Sequence, residues 1–215
     1  MSSLDPSIGD HLVLYSVTWD AYTKLLDAFP ERRLRHSYSD GTLEIMSPGK
    51  SHERIKTLLG HLLMALAVEA GVPVQGIGST TLRKVRKSRG LEPDECYYIA
   101  HEAAVRDKDD FDPDRDPPPD LAVEVDVSHS SVDRLPIYAA LGIPELWQAG
   151  ADGLRFLRLN RGGRYVEIPR SIAFPKIAPE MLWKFVAQRG KKHDTAIVRE
   201  FASWLRGADK GKSKS

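Results

Sequence analysis

One cysteine, Cys96, occurs among the 215 residues, which excludes an internal disulfide and a thiolate zinc cluster. It stands in an apolar run and is expected as a buried, reduced thiol in a cytoplasmic protein. Long hydrophobic stretches are also missing. The most apolar one, around Leu62 to Val68, is too short and too interrupted to span a bilayer, so no membrane partner is expected. The first residues, with Asp5 and Asp10, lack the basic segment and apolar core of a signal peptide. A strong excess of one charge is absent as well: the formal net charge is +1, which argues against a nonspecific cationic coat for nucleic acid and leaves room for a local basic groove. There is no internal repeat. Gly76-Ile77-Gly78 has no third glycine and no long helix after it, so it is not a dinucleotide loop. Ser128, Ser130 and Ser131 beside His129 lack the strand-to-helix nucleophile elbow of a serine hydrolase.

What remains is a composition of 41% hydrophobic and 28% charged residues, that of a globular chain large enough for one core. The expected division is an arm over residues 1–14, one domain over 15–206, and a disordered basic tail over 207–215 rich in lysine, serine and glycine. Helices are expected over Trp19 to Phe29, capped by Thr18 or Ser16, and over residues 52–70, closed by Gly71. In the second, Ile55, Leu59, Leu62, Leu66 and Ala70 form the apolar stripe, His52 lies on it as a partly buried histidine, and Glu53 sits to one side of the first turn. Asp40-Gly41 between two short alternating runs predicts a hairpin over Arg33 to Met46. Val72 to Leu82 reads as extended with an irregularity at Gly76 and Gly78, Lys84 to Gly90 as a charged connection, and Cys96 to Ile99 as a strand entered by Asp94.

The organising stretch is Pro117 to Trp147. Leu121, Val123, Val125 and Val127 alternate with Asp120, Ala122, Glu124 and Asp126, giving one strand an oily and an acidic face. A helix from Arg134 to Leu141 follows, with Asp133 as cap, Pro136 in its first turn and Gly142 at its end. A strand at Glu145 to Gln148 then makes a crossover unit. A second hairpin brackets Asn160 to Gly163, and helices over Pro179 to Val186 and Thr195 to Leu205 are expected to pack on a sheet edge. The fold class is therefore α/β, a mixed central sheet flanked by helices with an N-terminal antiparallel hairpin.

A carboxylate at the centre of an interior strand is costly unless a metal ion or a cationic side chain faces it. Glu124 and Asp126 lie about 6 to 7 Å apart on one face, whereas Asp120, about 13 Å from Glu124, caps the strand mouth. If the segment beginning at Asp94 pairs beside this strand, Asp94 and Glu124 share one site. Two or three carboxylates plus water suit Mg²⁺ or Mn²⁺ better than zinc, and such an ion supports phosphodiester hydrolysis. Each residue also has a plain structural reading. Glu124 could simply pair with Arg134, Asp94 could accept hydrogen bonds where its strand begins, Glu53 could complement a helix start, and His129 could be a loop residue.

Ser51-His52-Glu53-Arg54-Ile55, Glu92-Pro93-Asp94, Pro119 to Val125, Asp133-Arg134, Tyr138, Gly142 and Glu145-Leu146-Trp147, taken in this order and spacing, resemble the bacterial Uma-two family of the PD-(D/E)XK nuclease superfamily. The resemblance covers roughly residues 15–185. It implies a restriction-endonuclease-like fold, with Asp94 and Glu124 as metal ligands, Glu53 as an accessory carboxylate at the same ion, and a homodimer. Two departures stand out. The superfamily's lysine two residues after the strand glutamate is Asp126 here, and relatives that supply lysine from the next helix have their counterpart in Arg134. An arginine stays charged and can hold phosphate but is a poor general base.

The leading expectation is a Mg²⁺- or Mn²⁺-dependent endonuclease acting on DNA, with Glu53, Asp94, Glu124, Asp126 and Arg134 at the catalytic site. Arg83, Lys84, Arg86, Lys87, Arg89 and His129 are the expected phosphate contacts. The alternative is a noncatalytic nuclease-fold protein that binds nucleic acid or a protein partner. A third is a hydrolase of a small phosphorylated substrate, which requires a closed pocket.

Overall fold

Glycine and capping residues divide the chain into elements much where the pattern places them. The structure is a computed structural model that describes residues 11–29, 35–84, 88–109, 112, 115–126 and 132–210, without the side chains of 208–210. In chain order the elements begin with β1 His11–Leu14, α1 Trp19–Ala28, β2 His36–Ser39, β3 Thr42–Met46 and α2 Lys50–Ala70. The middle of the chain supplies β4 Gln75–Gly78, β5 Leu82–Lys84, β6 Arg89–Leu91, β7 Glu95–Tyr98, α3 Glu102–Val105 and β8 Leu121–Val125. The last elements are α4 Leu135–Leu141, β9 Glu145–Ala149, β10 Leu154–Leu159, β11 Tyr165–Ile168, α5 Pro179–Val186 and α6 Asp194–Lys210.

Local chemistry accounts for the ends. The Thr18 hydroxyl accepts from Ala21 N at 3.1 Å to start α1. Gly71 and Gly142 close α2 and α4 in the left-handed region, at φ 65° and 83°. Asp40 and Gly41, both at positive φ, make the tight turn between β2 and β3.

Among the described residues the strands form two sheets. A five-stranded antiparallel sheet has the order β1-β3-β2-β6-β5, and a six-stranded mixed sheet the order β11-β10-β9-β8-β7-β4. The predicted hairpin is thus the centre of a whole second sheet. The expected charged connection over Lys84 to Gly90 contributes two of its strands, β5 and β6, paired from Leu82↔Leu91 to Lys84↔Arg89. The arm contributes β1, whose residues pair with β3 from His11↔Met46 to Leu14↔Leu43.

In the larger sheet β8 runs parallel to β9 and antiparallel to β7, with α4 as the crossover between β8 and β9. All five residues of β8 are buried. Leu121, Val123 and Val125 pack with Ile55, Leu59, Leu62 and Trp147 in the main core, where Leu182, Phe185 and Phe201 join them. Helix α5 packs on β10, beside the edge strand β11, and against α2, while α6 packs on α2 and α5 in the same core. On the opposite face Ala122 packs with Ile137, Tyr138 and Leu146, and with Leu82 and Leu91 of the smaller sheet. Helix α6 also continues through Gly207 to Lys210, past its expected end at Leu205. The tail beyond it, 211–215, lies outside the described residues.

Gly90 records how closely the N-terminal layer is packed. A Cβ there would overlap the hydroxyl of Tyr22, which is fully buried, stacked on Tyr38 at 4.5 Å and hydrogen-bonded to His36 Nε2 at 2.8 Å. That hydroxyl cannot swing aside without breaking its bond and the stack. Gly90→Ala should cost roughly 1–3 kcal/mol. Urea denaturation of the two proteins measures it, and an unchanged midpoint would show that the layer yields.

Candidate functional site

The register of β7 on β8 pairs Glu95 with Val123 and Cys96 with Ala122, so one step further out it sets Asp94 opposite Glu124. Both carboxylates are buried, with Asp94 1% and Glu124 3% exposed. Burial of two acids in one place demands cations, and two arginines supply them. Arg35, immediately before β2, pairs with Asp94 Oδ1 and reaches Glu124 Oε1 at 3.2 Å through Nη2. Arg134, at the start of α4, donates from Nη1 to the same Glu124 oxygen, and its Nη2 meets Met46 Sδ at 2.8 Å. One turn along α4 the Tyr138 hydroxyl donates to Glu124 Oε2 at 2.5 Å.

The second oxygen of Asp94 is held differently. Val125 N donates to Asp94 Oδ2 at 2.7 Å, and His52 Nε2 lies 3.1 Å from it. Since a carboxylate only accepts, His52 carries its proton on Nε2 in this contact. Its Nδ1 is 3.3 Å from Glu53 Oε1, and Glu53 also pairs with Lys56 at 2.7 Å. Glu53 is therefore partly exposed, at 43% of its side chain, does not line the cavity beside the acids, and reaches Asp94 through His52.

These contacts set the charges. Burial alone would raise Glu124, yet Arg134, Arg35 and the Tyr138 hydroxyl outweigh it and hold its carboxyl below the ordinary value. Burial lowers the Arg35 guanidinium despite Glu124, whereas for Arg134 the pairing with Glu124 outweighs burial and raises it. Burial, helped by the positive charge of Arg35, pushes His52 down to about 4.

A cavity of about 200 Å³ opens beside this cluster, lined among others by Arg35, His52, Glu124, Asp126, Arg134 and Arg155. Asp94 is not among its lining residues, because Arg35 and His52 stand between it and the cavity. Asp126 is exposed at the mouth, its backbone N–H given to Ala149 O at 2.8 Å. Asp120 lies away from the cluster, accepting from Ile99 N, His101 N and His101 Nδ1. Of the expected phosphate contacts, Arg83 faces Asp27 at 3.6 Å and Arg89 pairs with Asp40 at 2.8 Å. Neither they nor Lys84 line the cavity. Arg86, Lys87 and His129 lie outside the described residues.

Among the described residues no three His, Cys, Asp or Glu side chains form a ready-made metal cage. A small hard ion does not need one: Mg²⁺ is commonly held by one or two carboxylates and keeps water or substrate oxygens on its other positions. One observation favours that fit: a cation already bridges the two acids, in the form of the Arg35 guanidinium, so Asp94 and Glu124 turn oxygen donors toward one shared positive charge.

Sequence reasoning missed Arg35. An arginine beginning a hairpin strand reads as solvent-facing, and its acids lie far along the chain, Asp94 59 residues on (94 − 35) and Glu124 89 residues on. Tyr138 was legible as part of a motif but not as a donor to Glu124.

The Uma2 (Uma-two) family model, described as "Putative restriction endonuclease", matches residues 19–181. Among solved structures the chain is similar to "a putative nuclease belonging to DUF820" from Anabaena variabilis ATCC 29413. The identity is 14% and the TM-score 0.53, over 88% of this chain and 99% of that one. This likeness establishes a shared mixed α/β fold. No curated protein matches the chain.

The depressed His52 value has a pH consequence. Above about pH 6.5 the imidazole is neutral folded or unfolded; as pH falls toward about 4 the unfolded chain takes up a proton that the folded one refuses, so stability is lost across that window. His52→Asn keeps a donor for Asp94 without titrating. The stability difference between wild type and His52→Asn, from urea midpoints between pH 4 and 8, should shrink as pH falls. A difference independent of pH would show that His52 titrates normally.

Proposed function

Because this chain belongs to the Uma2 family and its buried Asp94 and Glu124 converge beside one cavity, we propose that it is a Mg²⁺- or Mn²⁺-dependent endonuclease hydrolysing phosphodiester bonds of DNA. The convergence carries the reading. Asp94 and Glu124 would hold the ion, which when bound would supply water activation and offset charge developing on the phosphoryl oxygens.

The protein's own groups do the rest. Tyr138 and Arg134 fix Glu124, while Val125 N and His52 fix Asp94 Oδ2 and leave Oδ1 facing Arg35. Hydrolysis forms a bond from water oxygen to phosphorus and breaks a phosphorus–ester oxygen bond. The water's proton must leave and the departing oxygen must gain one. Arg134 stays protonated and cannot take the first proton; it steadies negative charge. Asp126 at the mouth is the carboxylate suited to accept it, the departing oxygen takes its proton from solvent water, and Glu53, held ionised by Lys56, is an accessory carboxylate near the ion. A cavity of about 200 Å³ admits one phosphate group reaching in from a larger substrate. It is below the roughly 300–1,000 Å³ of small-molecule sites, which weighs against a small phosphorylated substrate.

In this reading Arg83, Lys84 and Arg89, with Arg86, Lys87 and His129, contact the backbone outside the cavity. The protein works in the cytoplasm as a homodimer, symmetry placing two cuts on a duplex. A second reading, a noncatalytic nuclease-fold protein that binds nucleic acid or a protein partner, has one observation in its favour: Arg35 and Arg134 already neutralise both acids.

Cleavage assays separate the two. With Mg²⁺ or Mn²⁺ the protein should cut duplex, branched or single-stranded DNA, and Asp94→Asn and Glu124→Gln should each lower the rate at least a hundredfold while circular dichroism stays native. The amide variants are chosen because Glu124→Ala would leave Arg134 buried and unpaired, at roughly 3–5 kcal/mol. Binding of DNA or RNA without cleavage under every metal would replace the leading reading with the second.

A further inference from the structure

We propose that Arg35 is a displaceable internal cation: a divalent ion competes with its guanidinium for Asp94 Oδ1 and Glu124 Oε1, and the displaced Arg35 turns into the cavity to hold a phosphodiester oxygen. This rests on the reading that Asp94 and Glu124 hold a divalent ion, and adds how that ion and the substrate are coupled.

Access is the first argument. The Asp94 side chain has no exposed surface, and Arg35, whose own side chain is 9% exposed, both lines the cavity and covers the acid. An ion arriving from the cavity reaches Asp94 Oδ1 only where the guanidinium now lies. The move has somewhere to go, since about 200 Å³ opens on the same side. Only the side chain has to turn, because the Arg35 backbone is pinned by its carbonyl, which accepts from Met46 N at 2.9 Å.

The two arginines differ in how they are held. Arg134 leads into the helix that also carries Tyr138, so two neighbouring groups grip Glu124 from one side, and a second nitrogen of Arg134 rests on Met46. Arg35 instead straddles two acids from another sheet. The Nε of each arginine lacks a hydrogen-bond partner, so the difference lies in the company: one guanidinium, Arg35, is shared between Asp94 and Glu124, with no neighbouring hydroxyl among the described residues to match Tyr138 beside Arg134. A single positive charge is thus divided between two carboxylates, whereas a doubly charged ion matches their combined charge.

Two consequences follow from competition. Removing the guanidinium strengthens metal binding. A phosphodiester, by giving Arg35 another anion, also strengthens metal binding, and by linkage the metal strengthens binding of the phosphodiester equally.

The test measures Mn²⁺ binding to the full chain by calorimetry and by the electron paramagnetic resonance signal of free Mn²⁺. The measurements are made with and without a phosphorothioate DNA oligonucleotide, for wild type, Arg35→Met and Arg35→Lys. Wild type should bind Mn²⁺ at least fivefold more tightly with the oligonucleotide. Arg35→Met should bind it at least tenfold more tightly than wild type without DNA and show no further gain with DNA, with Arg35→Lys between. If Arg35→Met does not fold, the wild-type coupling and Arg35→Lys still decide. Mn²⁺ binding that is indifferent to the oligonucleotide, or unchanged or weakened in a folded Arg35 variant, overturns the competition and leaves the metal reading standing. No Mn²⁺ binding in any of the three proteins, with or without DNA, overturns the metal reading itself.

Discussion

Two buried carboxylates facing each other across adjacent strands are a liability that the rest of this molecule is built to answer. Asp94 and Glu124 lie where the sheet is most enclosed, and each must meet positive charge or lose its own. The nearest positive charge does not come from the sheet that carries them. It comes from a second sheet through Arg35 and from the crossover helix through Arg134. The packing of three layers is thus tied to one electrostatic requirement. Met46 under Arg134 and Tyr138 on Glu124 belong to the same arrangement.

That requirement explains an otherwise odd division of labour in β8. Its odd-numbered residues pack into the large core with α2, α5 and α6, as an ordinary interior strand would. Its even-numbered side carries Ala122 and Glu124 toward α4 and the smaller sheet, where the cover includes charged groups and a cavity instead of a sealed apolar layer. Hydrophobic burial on one face fixes the strand so firmly that the other face can hold an acid in a fixed place. Rigid support of this kind is what a site needs if its geometry is to be reproducible.

Much of the architecture was legible because it is written in local pattern. The period-two run at 121–125, the Asp40-Gly41 turn, and the glycines at 71 and 142 each name an element or its end through a short-range steric or packing rule. The facing of Asp94 and Glu124 was legible too, given an adjacent strand. The second sheet was not, because β5 and β6 are three residues each and rich in charge. Strands that short carry no period. Nor was Arg35, since nothing near it in the chain distinguishes a guanidinium aimed at solvent from one aimed at acids far along the sequence. What separates them is sheet-on-helix packing, a property of the assembled molecule.

The order of the four charges along the chain carries its own consequence. Arg35 is made first, Asp94 and Glu124 later, and Arg134 last. While the ribosome is still working, the N-terminal hairpin can close its turn, but its arginine meets Asp94 only after about sixty further residues have emerged and Glu124 only after some ninety. The hairpin cannot settle against the rest of the molecule before then without burying a bare cation, so the final docking of the layers waits for nearly the whole acidic segment. Synthesis itself thereby imposes a sequence on assembly, in which the first-made arginine waits for the acids that will hold it.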